Sequence, residues 1–454
     1  MVRATFTGSL VVASLIVMPL IAMVLLGVAW ISGATTLVAL ILIIMSVFFL
    51  TQGVFAITWM LYGWSSNKRL VEHAPPPRSE RIAPKRSFTA LVPARHEAGV
   101  IADTIRAIGA MEYPASLCET LILCRSDDTE TIKAARRAIR RLKLTNARVV
   151  TFRNGPITKP AALNIGLSKA QHDVIVIFDA EDEPHPELYD VVNTVMERGA
   201  RIVQSGVQLM NYRSRWFSAF NVLEYYFWFN SALHFFNRLG VVPLGGNTVF
   251  FDRQLLIEAG GWDESCLTED ADIGIRLSGL GERIAIIYDP RIATREETPP
   301  SVTSFIKQRT RWNQGFLQIL GSGSWRAFPT KGRLFSIYIL GWPIVQAMLI
   351  PYLVLAAFVA FTTQLPVPVA LIAFVPLFVL VLQLVIYVIG LREFTKDYAL
   401  PYPLHLPFFV LLTFIPFYLL LAIGASRASW RYLTDSSAWE KTEHYGAHRV
   451  MNRA

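Results

Sequence analysis

Cysteine is scarce. Cys118, Cys124 and Cys266 are the whole set and show no metal-ligand spacing, so a disulfide scaffold or zinc module is excluded and reduced thiols are expected. Charge is also thin at 17%, and long stretches carry none. No internal repeat, nucleic-acid motif or cyclic-nucleotide module is visible. The net charge of +9 would otherwise suggest nucleic acid. Many of its Lys and Arg residues instead flank apolar runs, as the positive-inside rule describes. Anionic lipid or an anionic donor is the better partner for that charge.

What is present is apolar sequence at both ends of a 454-residue chain that is 53% hydrophobic. Residues 8–31 and 34–62 are uncharged, and each exceeds the roughly 20 residues a spanning helix needs. The first is too long for a signal peptide, lacks a clear cleavage site and is followed at once by a second span. The link "SGATT" has no basic residue and is expected outside; Arg3 and "NKR" (67–69) are expected inside, which makes the middle cytosolic. Three further runs lie at about 334–362, 366–390 and 401–424. "TTQLPVP" is expected outside and "LREFTKD" inside. Counting then fails, because a full span at 401–424 would put the basic tail from Arg427 outside. Either the proline-bearing 401–424 segment is broken or re-entrant, or the 334–362 run bends at "GWP"; the tail is expected inside.

Between the ends, short apolar strands alternate with helices: "FTALVPAR" (88–95), "ETLILCR" (119–125), "ARVVTF" (147–152) and "DVIVIFDAED" (173–182). That pattern implies an α/β domain with a mostly parallel sheet covered on both faces, and ligands at the carboxyl ends of its strands. The expected divisions are 1–66 (two membrane helices), 67–86 (a proline-rich linker), 87–300 (the α/β domain), 301–330 (an amphipathic interface helix), 331–425 (the C-terminal membrane region) and 426–454 (the tail).

Charged clusters sit at those strand ends. Asp179, Glu181 and Asp182 in "FDAED" would repel one another, a cost that a hard divalent cation removes. An acidic turn capping the next helix would look the same. In "LTED" (267–270), Asp270 suits a general base, while Thr268 suits a plain helix cap. "LGGN" (244–247) allows close backbone approach to a ligand, or is a turn before a strand. In "QRTRWNQG" (308–315), Arg309 and Arg311 suit phosphate oxygens and Trp312 offers a flat face for a sugar ring. An amphipathic helix at a membrane surface would also favour Arg and Trp, and both readings hold together.

Taken in order, these clusters resemble the processive, membrane-bound members of glycosyltransferase family 2: cellulose, hyaluronan, chitin and exopolysaccharide synthases. The family pattern is a GT-A domain with D, DxD, TED and QxxRW motifs, matched here over about residues 85–320. The resemblance implies a cytosolic GT-A domain between membrane helices, and a divalent cation, Mg²⁺ or Mn²⁺. It implies a nucleotide-sugar donor, a growing glycan acceptor and a bacterial inner membrane, with room for accessory export subunits. Pro93, Ala94, Arg95 and Glu97 match the loop lining the nucleotide base. Asp127 or Asp128 matches the uridine-contacting acid, although "SDDTET" lacks the usual glycine. Lys159 and Asn164 match the GK-x-x-ALN pattern near the nucleotide. Asp179 and Glu181 occupy the DxD positions with Glu replacing the second Asp, and Asp182 is an added or substitute ligand. Asp270 matches the base, with Glu269 beside it as a second catalytic residue. Gln308, Arg311 and Trp312 match QxxRW, with Arg309 a second phosphate candidate. Gly246, Asn247 and Trp312 are assigned to the acceptor. "FNVLEYYFWFNSALHFF" (220–236) is either interfacial or core, and Trp439, Lys441, Thr442 and His444 resemble a tail that closes over the site, or form a solvated tail or one that meets lipid headgroups. Transfer of one sugar to a lipid carrier, or a catalytically dead membrane protein, would share most of this pattern.

Overall fold

The computed structural model describes residues 6–65, 74–153, 155–436, 440 and 445–451. Two apolar helices open the chain, α1 (Phe6–Ile31) and α2 (Thr35–Ser65). Strand β1 (Phe88–Ala94) follows, then α3 (Ile101–Gly109), β2 (Cys118–Arg125), α4 (Thr129–Arg141), β3 (Ala147–Phe152), α5 (Lys159–Lys169) and β4 (Val174–Ile177). After α6 (Leu188–Glu197) come β5 (Ile202–Ser205) and β6 (Val207–Leu209), then α7 (Ser218–Phe227) and α8 (Leu233–Leu239). The domain closes with β7 (Val249–Asp252), α9 (Arg253–Glu258), α10 (Glu269–Gly279), β8 (Ile284–Ile287) and β9 (Thr294–Glu296).

The main sheet has the order β3-β2-β1-β4-β7-β5-β8. Strand β7 alone is reversed against both its neighbours, so the sheet is mostly parallel, as its continuous apolar strands require. The reversal has a functional result. Val249 pairs with Ile177, so the chain entering β7 starts at the edge where β4 ends. Gly245, Gly246 and Asn247 therefore arrive beside the acids that follow β4. Each face is covered: Val92, Val176 and Phe250 face the α3, α4 and α6 side, and Leu91, Ile177 and Phe251 face α5, α9 and α10. Removing such fully buried side chains from water stabilises the domain by about 1.5–3 kcal/mol each.

The remaining helices are α11 (Val302–Ser322), α12 (Thr330–Leu340), α13 (Trp342–Thr362), α14 (Val367–Asp397), α15 (Leu406–Leu433) and the short α16 (Ala447–Met451). The 334–362 run is not one helix. It breaks at Gly341, one of the two alternatives the parity problem raised. The 401–424 run forms a helix that starts later and continues to Leu433, so the first eight residues assigned to the tail are helical. Residues 220–236 are mostly buried: α7, a π-helical turn at Trp228–Ala232 and α8 fill the space between the sheet and α2 and α14.

Among the described residues, five helices are long and apolar enough to cross a membrane: the 12–31 part of α1, α2 to Trp64, α13, α14 and α15. Both ends of α15 nevertheless meet the side on which the α/β domain lies. Before it, Tyr288 Oη lies 3.1 Å from Tyr398 Oη and Tyr212 donates to the Pro401 carbonyl. At its end, Arg431 donates to Gln314 of α11 at 2.9 Å, and Gln314 donates to the Ser436 carbonyl at 2.6 Å. In between, Phe417 packs on Phe305 and Gly424 on Arg309, so α15 runs alongside α11 in the same direction. It returns the tail to the face on which the α/β domain sits.

Candidate active site

The first strand-end loop is shaped from behind. Asp128 caps α4, accepting from Thr131 N at 3.3 Å, and also accepts from His96 N at 2.6 Å. It thereby supports His96 at φ 56°, a left-handed backbone uncommon for non-glycine residues. Burial disfavours the Asp128 carboxylate, but these donors outweigh it and its pKa is lowered. Asp127 is exposed, 3.6 Å from both Arg95 and Arg125. Neither aspartate borders the cavity described below, whereas Pro93, Ala94, Arg95 and Glu97 do.

Lys159 opens α5 after the capping residue Thr158. Its Nζ lies 2.5 Å from Asp179 Oδ1, 3.0 Å from the Gly246 carbonyl and 3.7 Å from Glu269 Oε1. Burial opposes the ammonium, yet Asp179, Glu269 and Asp270 together raise its pKa, so it stays charged. Asn164 points elsewhere. It bonds both backbone groups of Trp262 and the Glu264 carboxylate, at 2.9–3.0 Å, and so positions the loop ahead of α10 rather than bordering the cavity described below.

The acids after β4 divide their work. Asp179 and Glu181 border the cavity. Asp182 is fully buried and turned away; it accepts from Asn247 Nδ2 at 2.7 and 2.8 Å and from the Asp179 N–H at 2.8 Å. Its assignment as a cation ligand is corrected to a brace between this loop and the one before β7, and Asn247, which also donates to Glu296, braces with it. Desolvation, then Asp179 and Glu97, pushes the Glu181 carboxyl well above the usual range. Neighbouring acids held out of water are a cost that a cation relieves. No group of three or more His, Cys, Asp or Glu side chains that could hold a metal occurs among the described residues. Two carboxylates fit a hard cation that takes its other ligands from phosphates and water.

Glu269 and Asp270 sit in the first turn of α10. Burial raises both carboxyls, Glu269 to about 7, while Lys159 and Arg311 pull them down. Thr268 makes no capping bond. Its side chain meets Gly315 instead, where an added Cβ would fall 2.2 Å from Oγ1. Gly246 is close but less tight: a Cβ there would lie 3.3 Å from Asp270 Oδ2 and 4.0 Å from Lys159 Nζ. The paired glycines thus bring the strand-β7 loop against the acid and the lysine.

Along α11, Gln308, Arg311 and Trp312 border the cavity, and Gln308 Oε1 is buried without a hydrogen-bond partner among the described residues. Arg309 borders it too, but its guanidinium is committed to Asn221 at 2.5 Å and Glu224 at 2.6 Å. It also covers the Trp312 ring with its Cζ 4.6 Å from the centroid. Its reading as a phosphate ligand gives way to that of a support for the tryptophan. Sequence reasoning missed Glu224, a lone acid inside an aromatic helix, along with Glu296 and Glu297. The "REETPP" stretch carried no motif to mark the latter pair.

Asp179, Asp270 and Trp312, distant in sequence, line one cavity of about 800 Å³. It continues past the tryptophan between membrane helices, bordered there by Gln52, Gln346, Gln383 and Tyr418 among apolar side chains. Trp439, Lys441, Thr442 and His444 lie outside the described residues.

Residues 84–315 match the family described as Glycosyltransferase like family 2, and the chain belongs to that family. It is 28% identical over 261 residues to the Beta-monoglucosyldiacylglycerol synthase of Synechocystis sp. (strain ATCC 27184 / PCC 6803 / Kazusa), covering 55% of this chain and 52% of that one. It is 25% identical over 272 residues to the Poly-beta-1,6-N-acetyl-D-glucosamine synthase of Staphylococcus aureus (strain MSSA476), covering 59% and 63%. Neither relative is matched over two thirds of its length. The solved structure of the mannosyltransferase PcManGT from Pyrobaculum calidifontis, in complex with GDP-Man and Mn²⁺, aligns with a TM-score of 0.48 and 17% identity, over 85% of this chain and 99% of that one.

Proposed function

Because the chain belongs to this family, we propose that it is an inverting, cation-dependent glycosyltransferase that extends a glycan at the inner face of a bacterial membrane. The nucleotide of the donor lies along Pro93–Glu97, and its diphosphate lies between Asp179 and Arg311. Asp179 and Glu181 would hold Mg²⁺ or Mn²⁺, which supplies countercharge to the diphosphate. Trp312 stacks on the acceptor sugar and fixes its hydroxyl. Asp270 takes the hydroxyl proton as that oxygen bonds to the anomeric carbon. The bond from that carbon to phosphate breaks on the opposite face, and its electrons leave with the diphosphate. Arg311 and Lys159 stabilise the charge that develops there. Glu269 keeps Lys159 in place.

The observation that carries this reading is the shared cavity of Asp179, Asp270 and Trp312. Its continuation past Gln52 and Gln346 supports elongation with export through the same helices, since polar side chains inside a membrane face a bundle interior or a cavity; Gln383 beside them accepts from Tyr418 at 2.8 Å. Accessory export subunits would extend that path. A UDP-sugar, UDP-glucose first, is the expected donor, with UDP-GlcNAc and GDP-mannose next.

A second reading, one sugar transferred to a membrane lipid, is favoured by the apolar majority of the membrane-side lining and by the diacylglycerol-linked relative. Purified protein given each labelled donor with Mg²⁺ or Mn²⁺, followed by separation of polymer from glycolipid, decides between them. No transfer with any donor, or transfer undiminished in Asp270→Asn, would overturn both.

A further inference from the structure

The C-terminal segment is stitched to the acid loop. Glu297 accepts from the backbone N–H groups of Tyr445, Gly446 at 2.9 Å and Ala447 at 2.5 Å. Three successive backbone donors on one carboxylate form a compact anchor of the kind that backbone nests provide. Two residues on, Arg449 turns back into the domain. Its Nη2 donates to the Glu181 carbonyl at 2.7 Å, the Asp182 carbonyl at 3.2 Å and Thr104 Oγ1 at 2.8 Å. Its Nη1 donates to the Val100 carbonyl at 3.1 Å and lies 3.6 Å from Asp103 Oδ2. His448 is fully buried beside Glu183, 4.0 Å away.

We propose that residues 445–451 are a latch that sets the geometry of the 179–182 loop, with Arg449 its positioning residue and Glu297 its catch. The loop must hold Asp179 and Glu181 together in one cavity although their charges repel. A guanidinium gripping the carbonyls of Glu181 and Asp182 fixes the backbone from which those side chains project. It also places positive charge behind them. The latch reaches the loop because α15 returns the chain to the domain face. This inference rests on the reading of Asp179 and Glu181 as cation ligands. Arg449 acts through the loop and touches neither donor nor acceptor.

The test uses the full chain in detergent, with Mn²⁺ binding followed by electron paramagnetic resonance in the presence of UDP. Outer partners of metal ligands typically contribute about 10–100-fold in affinity. Arg449→Ala should therefore weaken Mn²⁺ binding about tenfold or more and broaden the signal, while metal-free UDP binding stays near that of the parent. Arg449→Lys should recover part of the loss, since one ammonium can still reach a carbonyl. Glu297→Gln should shift affinity in the same direction as Arg449→Ala, because it weakens the carboxylate that accepts from the Gly446 and Ala447 N–H groups. Parental Mn²⁺ affinity in both Arg449→Ala and Glu297→Gln would overturn the latch. The control is Asp179→Asn: if it abolishes Mn²⁺ binding while Arg449→Ala spares it, the latch alone fails. If Asp179→Asn also spares it, the cation assignment fails first.

Discussion

Gly315 of α11 and Thr268 ahead of α10 are in backbone-to-side-chain contact so close that a methyl group at 315 would sit 2.2 Å from the threonine hydroxyl oxygen. The helix carrying Trp312 is thereby docked on the turn carrying Asp270. A second tie reinforces it, the Leu267 N–H donating to Gln318 at 2.9 Å. Asp270 and Trp312, the proposed base and acceptor platform, are held as one unit although they lie 42 positions apart along the chain.

Gly315→Ala should consequently push the two helices apart. Overpacking of this kind costs about 1–3 kcal/mol. The expected result is a lower melting temperature and a large fall in transfer rate, with donor binding retained. Adding Thr268→Ala removes the two nearest atoms and should recover part of both.

Asp270→Asn should lower kcat by about a hundredfold or more, the contribution expected of a positioned general base, with little change in donor affinity. Single-turnover transfer alongside UDP binding measures the split. Equal loss in both would place Asp270 in donor binding instead.

The pH profile should carry the mark of burial. As the proposed base Asp270 would act deprotonated, and burial raises its pKa, so the acid limb of kcat/KM should lie above the ordinary aspartate range. Lys159 lowers both Asp270 and Glu269, so Lys159→Met should move that limb upward as well as depress the rate. For folding the sign is opposite. Glu269 holds its proton more tightly folded, at about 7, than unfolded, near 4.5. Its contribution to stability is complete below the unfolded value and is lost as pH rises toward 7.

Arg309→Ala should destabilise the fold without weakening UDP binding. Breaking a buried ion pair typically costs about 3–5 kcal/mol. Burial lifts Glu224 to about 7 even though Arg309 pulls it down. Without the arginine, Glu224 escapes part of the cost by keeping its proton, so melting should fall further at pH 8 than at pH 6. Loss of UDP affinity would restore Arg309 as a donor ligand.

Asp179→Asn and Asp182→Asn should fail differently. The first should lose Mn²⁺-dependent transfer in a folded protein, and excess Mn²⁺ should restore little. The second should lower the melting temperature, because Asp182 accepts from Asn247 and from the Asp179 backbone in a fully buried position. Thermal unfolding with a Mn²⁺ titration separates the two.

Much of this was readable from local pattern. Apolar runs longer than a bilayer is thick, strands of Val, Ile and Phe followed by acids, and the order of the TED and QxxRW stretches marked the architecture and the bordering residues Asp179, Asp270, Gln308, Arg311 and Trp312. Such features are local because periodicity and composition report which face of an element leaves water. Partners are a different matter. That Asp182 braces Asn247, that Arg309 serves Glu224 while Arg311 faces the cavity, that β7 runs backward to deliver Gly246 and that α15 lies along α11 follow from contacts between residues far apart in the chain. Which charges lose water together is decided only when the chain has closed around them, and that shared desolvation assigns each acid and base its partner.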